Sequence, residues 1–233
     1  MSTATRQTRR SELELYFDRT AVEAWKRLTS DAPVGYVRAQ VRAGRDEMRE
    51  TLLAWLPKDM RGLRLLDAGC GTGALAIEAA RRGADVLAID ISQTLVDLAR
   101  ERTPRDLGAG RVTFAVGDML DASLGQFDHV VAMDSLIHYV GDDIIHTLSG
   151  LAQRTKGSIV FTIAPRTPAL TLLWIIGRMF PRKDRAPAIE PIAQSQLEKL
   201  MTAHSALADW SVHNSKRVSR SFYISQAVEI KRS

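Results

Sequence analysis

A glycine-rich turn decides the fold of this chain: Leu65-Leu66-Asp67-Ala68-Gly69-Cys70-Gly71-Thr72-Gly73. The apolar residues at its start predict a buried strand, and the residues that follow it, as far as 82, have a helical pattern. Glycines between a strand and a helix let the backbone bend sharply and let a ligand approach it closely. Because Gly69, Gly71 and Ala74 also fit the G-x-G-x-x-G/A dinucleotide pattern, the turn predicts a bound cofactor without identifying it.

Short apolar runs alternate with helical stretches along the next hundred residues. The runs cover 63–68, 85–89, 112–116, 127–133 and 158–164, and further helices are predicted over 93–102 and about 141–154. Alternating strands and helices predict a parallel sheet with right-handed crossovers. Two later runs, 210–217 and 221–230, predict closing strands. We therefore expect an α/β, Rossmann-like fold with a mostly parallel seven-stranded sheet and helices on both faces.

Helical segments and one interruption flank this core. Apolar positions at helical spacing in 11–28 and 37–56 predict an N-terminal helical arm or lid over residues 1–56, which ends at Pro57. We expect the helix over 37–56 to pack against the sheet. The core is then 57–233, with an insertion at about 165–191 that combines prolines, an apolar helix and basic residues. We interpret the insertion as a lid.

Composition favours an intracellular protein without a nucleic-acid partner. The net charge is +5, but the 32 lysines and arginines are spread along the chain. The single cysteine, Cys70, excludes a disulfide framework, and the N-terminus lacks the apolar stretch of a secretory signal. The longest apolar window, 169–177, has about half of the roughly 20 residues that a membrane span needs. We expect a cytoplasmic protein and see no ligand set for a protein-bound metal.

Three acidic residues follow successive predicted strands. Asp67 precedes the glycines and would face a cationic amino group, whereas a pyrophosphate there would be repelled. Asp90 ends the second strand, where an acid can accept from both hydroxyls of a ribose. Asp118 and Met119 follow the third strand, where an acid can accept from an adenine amino group and an apolar side chain can cover the ring. Each acid alone could be an ordinary turn residue, but together they favour S-adenosylmethionine over a nicotinamide dinucleotide.

The residues after the fourth strand, 132–139, lie where this kind of sheet presents side chains to a reacting group. His138 is a candidate catalytic residue because a histidine, with a pKa of roughly 6.5, can hold or remove a proton near neutral pH. The alternative is a histidine that only caps or packs against the next helix. The other four histidines have no comparable context.

The D-x-G-x-G-x-G loop, the acid after the second strand and the acid after the third strand resemble the class I S-adenosylmethionine-dependent methyltransferases over about residues 63–164. Further segments narrow this resemblance: 16–20 with Trp25, 41–45, 136–139, 164–167, 176–181 and 221–225 are similar to the magnesium-protoporphyrin O-methyltransferases. That resemblance runs nearly end to end. One departure is the stretch Leu28-Thr29-Ser30, where chlorophyll-making relatives tend to have a tyrosine, so no catalytic tyrosine is placed there.

The resemblance implies methyl transfer from S-adenosylmethionine to one propionate carboxylate of magnesium-protoporphyrin IX, in (bacterio)chlorophyll biosynthesis. His138 would orient the acceptor carboxylate, and Arg42 would meet the carboxylate of the methionine moiety. The implied cofactor-binding set is Asp67, Gly69, Gly71, Gly73, Asp90, Ile91, Asp118, Met119, Asp134 and Arg42, and the implied substrate-binding set is Tyr16, Tyr139, Arg166 and Arg178.

Partners and competing functions stay open at this level. The apolar and basic stretch 169–185 suggests a peripheral contact with the photosynthetic membrane, a contact with the magnesium-chelatase subunit that delivers the porphyrin, or burial in the lid itself. The nearest rival function is a methyltransferase of the same fold that acts on another carboxylate or on a quinone precursor. A nicotinamide-dependent oxidoreductase and a porphyrin carrier without catalysis are further alternatives.

Overall fold

The structure is a computed structural model that describes residues 35–166 and 189–233. Five helices and seven strands follow one another in these two ranges. The helices are α1 (Tyr36–Ala54), α2 (Ala74–Arg81), α3 (Gln93–Arg102), α4 (Gly141–Ala152) and α5 (Gln194–Ala203). The strands are β1 (Arg64–Ala68), β2 (Asp85–Asp90), β3 (Arg111–Val116), β4 (Phe127–Ala132), β5 (Thr155–Ile163), β6 (Trp210–Arg220) and β7 (Tyr223–Arg232). Short 3₁₀ turns lie at Ala122–Leu124, Leu136–His138 and Ser205–Leu207.

All seven strands form one sheet in the order β3-β2-β1-β4-β5-β7-β6. The five strands β1 to β5 are parallel, while β7 pairs antiparallel with both β5 and β6. This arrangement confirms the predicted mostly parallel seven-stranded sheet. The position of β7 between β5 and β6 was not predicted, because the strand that ends the chain is inserted beside an earlier one.

Two apolar cores cover the two faces of the sheet. Adjacent residues of β1 point to opposite sides: Leu65 belongs to the core that includes α1 and α2, and Leu66 belongs to the core that includes α4 and α5. The predicted packing of residues 37–56 is confirmed, since α1 buries Met48, Leu52 and Leu53 in the first of these cores. The helices on both faces leave only the edges of the sheet for a ligand.

The strand order creates a gap at one edge of the sheet. The chain runs from β1 outward through β2 to β3, then returns to the other side of β1 with β4. The segments that leave β1 and β4 therefore diverge at the carboxyl ends of these strands, which is where open α/β sheets bind ligands. The β6–β7 hairpin brings Tyr223 to the same edge, against Gly44 of α1.

Some sequence predictions concern residues that the structure does not describe. Residues 1–34 of the predicted arm, which include Tyr16, lie outside the described ranges. So does most of the predicted lid, which includes Arg178. No helix within those ranges is both long and apolar enough to cross a membrane. The boundary between arm and core at residue 56 stays a prediction.

Candidate functional site

A cavity of about 360 Å³ opens at the carboxyl ends of the central strands. Its wall combines the glycine turn, the ends of β2, β3 and β4, and one face of α1. The lining residues are Arg42, Arg45, Asp46, Arg49, Asp67, Gly69, Cys70, Gly71, Thr72, Ala74, Leu75, Ile89, Asp90, Ile91, Leu95, Gly117, Met119, Met133, Asp134, Ser135, His138 and Tyr139. Ten of the predicted site residues therefore face one space.

The glycine turn is fixed from two sides. The backbone N–H groups of Gly69 and Cys70 donate to the carbonyl of Ile89 at 2.8 and 3.0 Å. Gly69 has φ +86°, and a Cβ placed on it would lie 2.5 Å from Cβ of Ser135. A side chain at this position would thus be strained and would collide with the segment after β4. The glycine is required because two loops of the cavity wall touch there.

Asp67 ends up almost completely buried, with 1% of its surface exposed. Its Oδ2 atom has no hydrogen-bond partner among the described residues. Burial, together with the negative charge of Asp90, raises the pKa of Asp67 to about 7. A buried carboxylate oxygen that lines a cavity and lacks a partner fits a cationic ligand group, because an ammonium would supply both the charge and the hydrogen bond.

Asp90 supports the glycine turn as well as the cavity. Its Oδ2 accepts from the backbone N–H of Gly71 at 2.8 Å, and its Oδ1 accepts from the N–H of Ser92 at 3.0 Å. Each carboxylate oxygen can accept more than one hydrogen bond. The side chain is therefore fixed in direction and retains the capacity to accept from the hydroxyls of a ribose. Ile91 lies beside it in the cavity wall.

The acid after β3 is placed differently. Gly117 and Met119 line the cavity, but Asp118 between them does not. The Oδ1 atom of Asp118 instead accepts from the backbone N–H of Leu120 at 2.9 Å, which is a local turn contact. The predicted hydrogen bond from an adenine amino group to Asp118 stays a prediction, whereas Met119 has the expected place in the wall.

The segment after β4 forms the part of the wall beside the glycine turn. Asp134 forms an ion pair with Arg45 of α1, with 2.8 Å between Nη1 and Oδ2. Ser135 donates from Oγ to the carbonyl of Ala68 at 2.9 Å, next to the glycines. His138 and Tyr139 line the cavity at the end of a short 3₁₀ turn. His138, the candidate catalytic residue, and the glycine turn thus line one cavity, as the sequence predicts.

Three further predictions fall outside this wall. Gly73 has φ +78° and packs near Phe114, behind the turn. Arg166 is exposed just after β5 and does not line the cavity. Tyr16 and Arg178 lie outside the described residues. Cofactor contacts for Gly73 and substrate contacts for the other three stay predictions.

Sequence reasoning missed much of the α1 face. Arg42 was singled out, but Arg45, Asp46 and Arg49 line the cavity with it. These residues follow the i, i+3, i+4, i+7 pattern, which places them on one face of the helix. Helical spacing of the charged residues was therefore the pattern that could have revealed them. Cys70 lines the wall but is unreactive, because burial and the nearby Asp67 and Asp90 raise the pKa of its thiol well above the usual range.

The fold and the site together define a class of enzyme. The sheet order, the glycine turn, the buried carboxylate of Asp67 and the acid at the end of β2 are those of a class I S-adenosylmethionine-dependent methyltransferase. The cavity wall brings together two of the predicted acids, Asp67 and Asp90, and the apolar side chain of Met119. A methyltransferase domain family also matches residues 65–157. The nicotinamide-dependent alternative is thereby set aside.

Comparison with known proteins narrows the class to one family. The family described as "Magnesium-protoporphyrin IX methyltransferase C-terminus" matches residues 132–232. A magnesium-protoporphyrin O-methyltransferase from Rhodobacter capsulatus is 51% identical over 94% of this chain and 95% of its own length. Its counterpart from Synechocystis is 31% identical over 94% of each chain. The chain belongs to the magnesium-protoporphyrin O-methyltransferase family.

Solved structures agree with this assignment. The crystal structure of magnesium protoporphyrin IX methyltransferase from Synechocystis with bound S-adenosylhomocysteine has a TM-score of 0.83 and 30% identity, over 96% of this chain and 99% of that one. A second structure of that protein, with bound S-adenosylmethionine, has a TM-score of 0.79. Ubiquinone biosynthesis O-methyltransferases match only about half of the chain, for example 32% identity over 53% of it.

Proposed function

We propose that this protein transfers a methyl group from S-adenosylmethionine to one propionate carboxylate of magnesium-protoporphyrin IX, which gives the monomethyl ester in (bacterio)chlorophyll biosynthesis. The observation that carries the proposal is the single cavity shared by the donor-binding turn and by His138 and Tyr139. The choice of acceptor is supported by the names of relatives that match the chain over nearly its full length.

The acceptor needs little help from a base. A propionate with a pKa near that of glutamate, roughly 4.3, is already ionised at neutral pH. When bound, S-adenosylmethionine supplies a methyl group activated by its sulfonium. The protein therefore has to align the carboxylate with that methyl group and exclude water, and such positioning can lower a barrier by roughly 7–11 kcal/mol. His138 performs this task as a hydrogen-bond donor to the carboxylate, and Tyr139 contacts the same substrate.

The charges in the cavity wall suit a zwitterionic donor end beside an anionic acceptor. Oδ2 of Asp67, which has no partner among the described residues, receives the ammonium of the methionine moiety. Arg42, on the α1 face of the same cavity, receives its carboxylate. Burial of the Asp67 oxygen strengthens the first contact, because charge–charge interactions are less screened away from bulk water.

Several finer contacts belong to the proposal as well. Arg166, Tyr16 and Arg178 would meet the porphyrin and its second propionate, and residues 169–185 would contact the membrane surface or the porphyrin-binding subunit of magnesium chelatase. Arg166 is exposed, and the backbone of the neighbouring Pro165 is fixed by a bridge to Ile192. The side chain of Arg166 is therefore accessible to a ligand. The other residues lie outside the described ranges.

The proposed acceptor is tested by chromatographic detection of the ester. The protein is incubated with S-adenosylmethionine and one of three acceptors: magnesium-protoporphyrin, metal-free protoporphyrin or a quinone precursor. We expect a monomethyl ester from magnesium-protoporphyrin. Methylation of the quinone precursor alone would replace the proposal by the rival function, and binding of the porphyrin without any ester would favour a carrier.

The role of His138 is tested by His138→Ala. We expect turnover at saturating substrate to fall by at least about tenfold, because the carboxylate loses its orienting donor, while affinity for S-adenosylhomocysteine stays within about twofold of the unmodified protein. The matched control is His146→Ala on the exposed side of α4, for which we expect unchanged turnover. Full turnover in His138→Ala would remove His138 from the mechanism.

A further inference from the structure

A cluster of polar side chains joins four elements beneath the wall of the cavity. The carboxylate of Asp134, after β4, pairs with Arg45 of α1 at 2.8 Å. The hydroxyl of Tyr223, at the start of β7, donates to Oδ1 at 3.0 Å and also lies 3.3 Å from Oδ2. Thr162 of β5 accepts from the backbone N–H of Asp134 at 2.7 Å, and its Oγ1 lies 3.4 Å from Oδ1. Asp134 is thus held by side chains that are distant in sequence.

The backbone at Asp134 needs such support. Its φ of 55° lies in the left-handed region, and no other non-glycine residue of the described ranges has a positive φ. This conformation is sparsely populated by residues with a side chain, and it persists where surrounding contacts fix it. The contacts of Asp134 therefore hold a turn that the chain would not adopt by local preference.

This turn determines where the neighbouring residues of the wall lie. Met133 and Ser135 flank it and line the cavity, and His138 follows one short turn later. Ser135 packs against Gly69 so tightly that a Cβ on the glycine would lie 2.5 Å from its own Cβ. A change in the backbone at Asp134 would therefore move both the wall beside the donor-binding turn and the histidine.

Tyr223 holds this carboxylate from the side of β7. Its ring packs against Gly44 of α1, where an added Cβ would lie 2.6–2.8 Å from atoms of the ring and its Cβ. Burial and the carboxylate of Asp134 raise the pKa of the Tyr223 hydroxyl well above its usual range, so the hydroxyl stays a hydrogen-bond donor at any working pH. Hydrogen bonds from a neutral donor to a carboxylate are stronger than those between neutral groups.

We propose that Tyr223 is a positioning residue for methyl transfer: its hydroxyl fixes the Asp134 carboxylate, and through it the segment 133–138, against the donor-binding turn. Tyr223 does not line the cavity itself, so it acts through Asp134. The measurement of donor binding does not depend on which acceptor the protein methylates. Only the measurement of turnover rests on the proposed function.

The test variant is Tyr223→Phe, which removes the hydroxyl and keeps the ring against Gly44. We expect the Kd for S-adenosylhomocysteine, measured by calorimetry, to rise about tenfold, since loss of a hydrogen bond to a charged group has an effect of that order. We expect kcat with magnesium-protoporphyrin to fall by at least as much, because misplacement of a reacting group is costly. Tyr36→Phe, on an exposed tyrosine at the start of α1, is the matched control and should behave as the unmodified protein.

A double-mutant cycle separates positioning from general destabilisation. In an Asp134→Ala background, Tyr223→Phe should change the donor Kd by less than about twofold, because the carboxylate that it positions is absent. Fully additive effects, or a donor Kd in Tyr223→Phe within twofold of the unmodified protein, would overturn the proposal. If Tyr223→Phe does not fold, Gly44→Ala replaces it, since the added methyl group displaces the same ring. An unchanged donor Kd in folded Gly44→Ala would then refute the proposal, and a weakened one would support it.

Discussion

The buried carboxylate of Asp67 predicts that affinity for the methyl donor rises with pH. Without a ligand, burial first and the charge of Asp90 second raise its pKa to about 7. A bound ammonium favours the ionised form, so the pKa of Asp67 in the complex is lower than in the free protein. Donor binding then requires loss of a proton from the protonated fraction, and the apparent affinity follows the fraction of Asp67 that is ionised before binding.

The magnitude follows from this pKa. With a pKa of about 7, roughly a tenth of Asp67 is ionised at pH 6 and roughly three quarters at pH 7.5. The apparent Kd for S-adenosylhomocysteine should therefore fall about eightfold between these two pH values, which corresponds to about 1.2 kcal/mol. Near pH 7, binding should release about half a proton per site.

Isothermal titration calorimetry with S-adenosylhomocysteine measures both quantities. Titrations at pH 6, 7 and 7.5 give the Kd values, and two buffers of different ionisation enthalpy give the proton release. Asp67→Asn is the control, because it is nearly isosteric and cannot titrate. The Asp67→Asn protein should bind S-adenosylhomocysteine weakly, and its Kd should lose most of the pH dependence. A Kd of the unmodified protein that varies less than twofold over this range would refute the reasoning.

Three other predictions concern the same wall. Because the pKa of Asp67 in the folded protein exceeds its unfolded value of 3.8, its ionisation lowers stability as pH rises from about 4 to about 7. Asp67→Asn without donor should therefore melt at least about 2 °C higher than the unmodified protein at pH 8, and an equal or lower melting temperature would contradict this. Asp90→Ala removes the acceptor of two backbone N–H groups and should weaken binding of S-adenosylhomocysteine in calorimetry by at least about tenfold, so that an unchanged affinity would exclude its role. Gly69→Ala should lower the melting temperature and donor affinity more than Gly71→Ala, since a Cβ meets Ser135 at Gly69 but nothing within 4 Å at Gly71, and equal effects would show that the contact is unimportant.

Most of the fold was predictable because it depends on local patterns. Helix α3 has the predicted bounds, Gln93–Arg102, and the ends of the parallel strands differ from the predicted ones by three residues or fewer. Helix α5 was missed, since only Leu197 and Met201 of its ten residues are buried and its apolar pattern is correspondingly weak. The place of β7 was missed for another reason: strand pairing is non-local, and alternation along a strand does not specify its neighbour.

The residues of the site also fall into two groups: those that local sequence patterns predict and those that depend on non-local packing. Asp67, Asp90 and Met119 lie at or just past the carboxyl ends of their strands, so the parallel sheet brings them together once the strands are known. The ion pair of Arg45 with Asp134 joins residues 89 positions apart, and the hydrogen bond from Tyr223 to Asp134 also spans 89 positions. No spacing in the sequence predicts such contacts, because they depend on how α1 and β7 pack against the sheet. The left-handed backbone at Asp134 is likewise a product of those contacts.

Four carboxylates line the cavity, and the contrast between two of them, Asp67 and Asp134, explains how the cavity can orient a zwitterion. Asp134 is compensated by Arg45, so it exerts little net attraction on a cation. Oδ2 of Asp67 has no partner among the described residues, and the face of α1 in the same wall carries Arg42. A donor whose methionine end carries an ammonium and a carboxylate is then stabilised in only one direction. The reversed direction would place two carboxylates together at Asp67, and like charges 4 Å apart repel by about 4 kcal/mol at an effective dielectric constant of about 20. The pairing of Asp134 thus leaves Asp67 to determine the direction in which the donor lies.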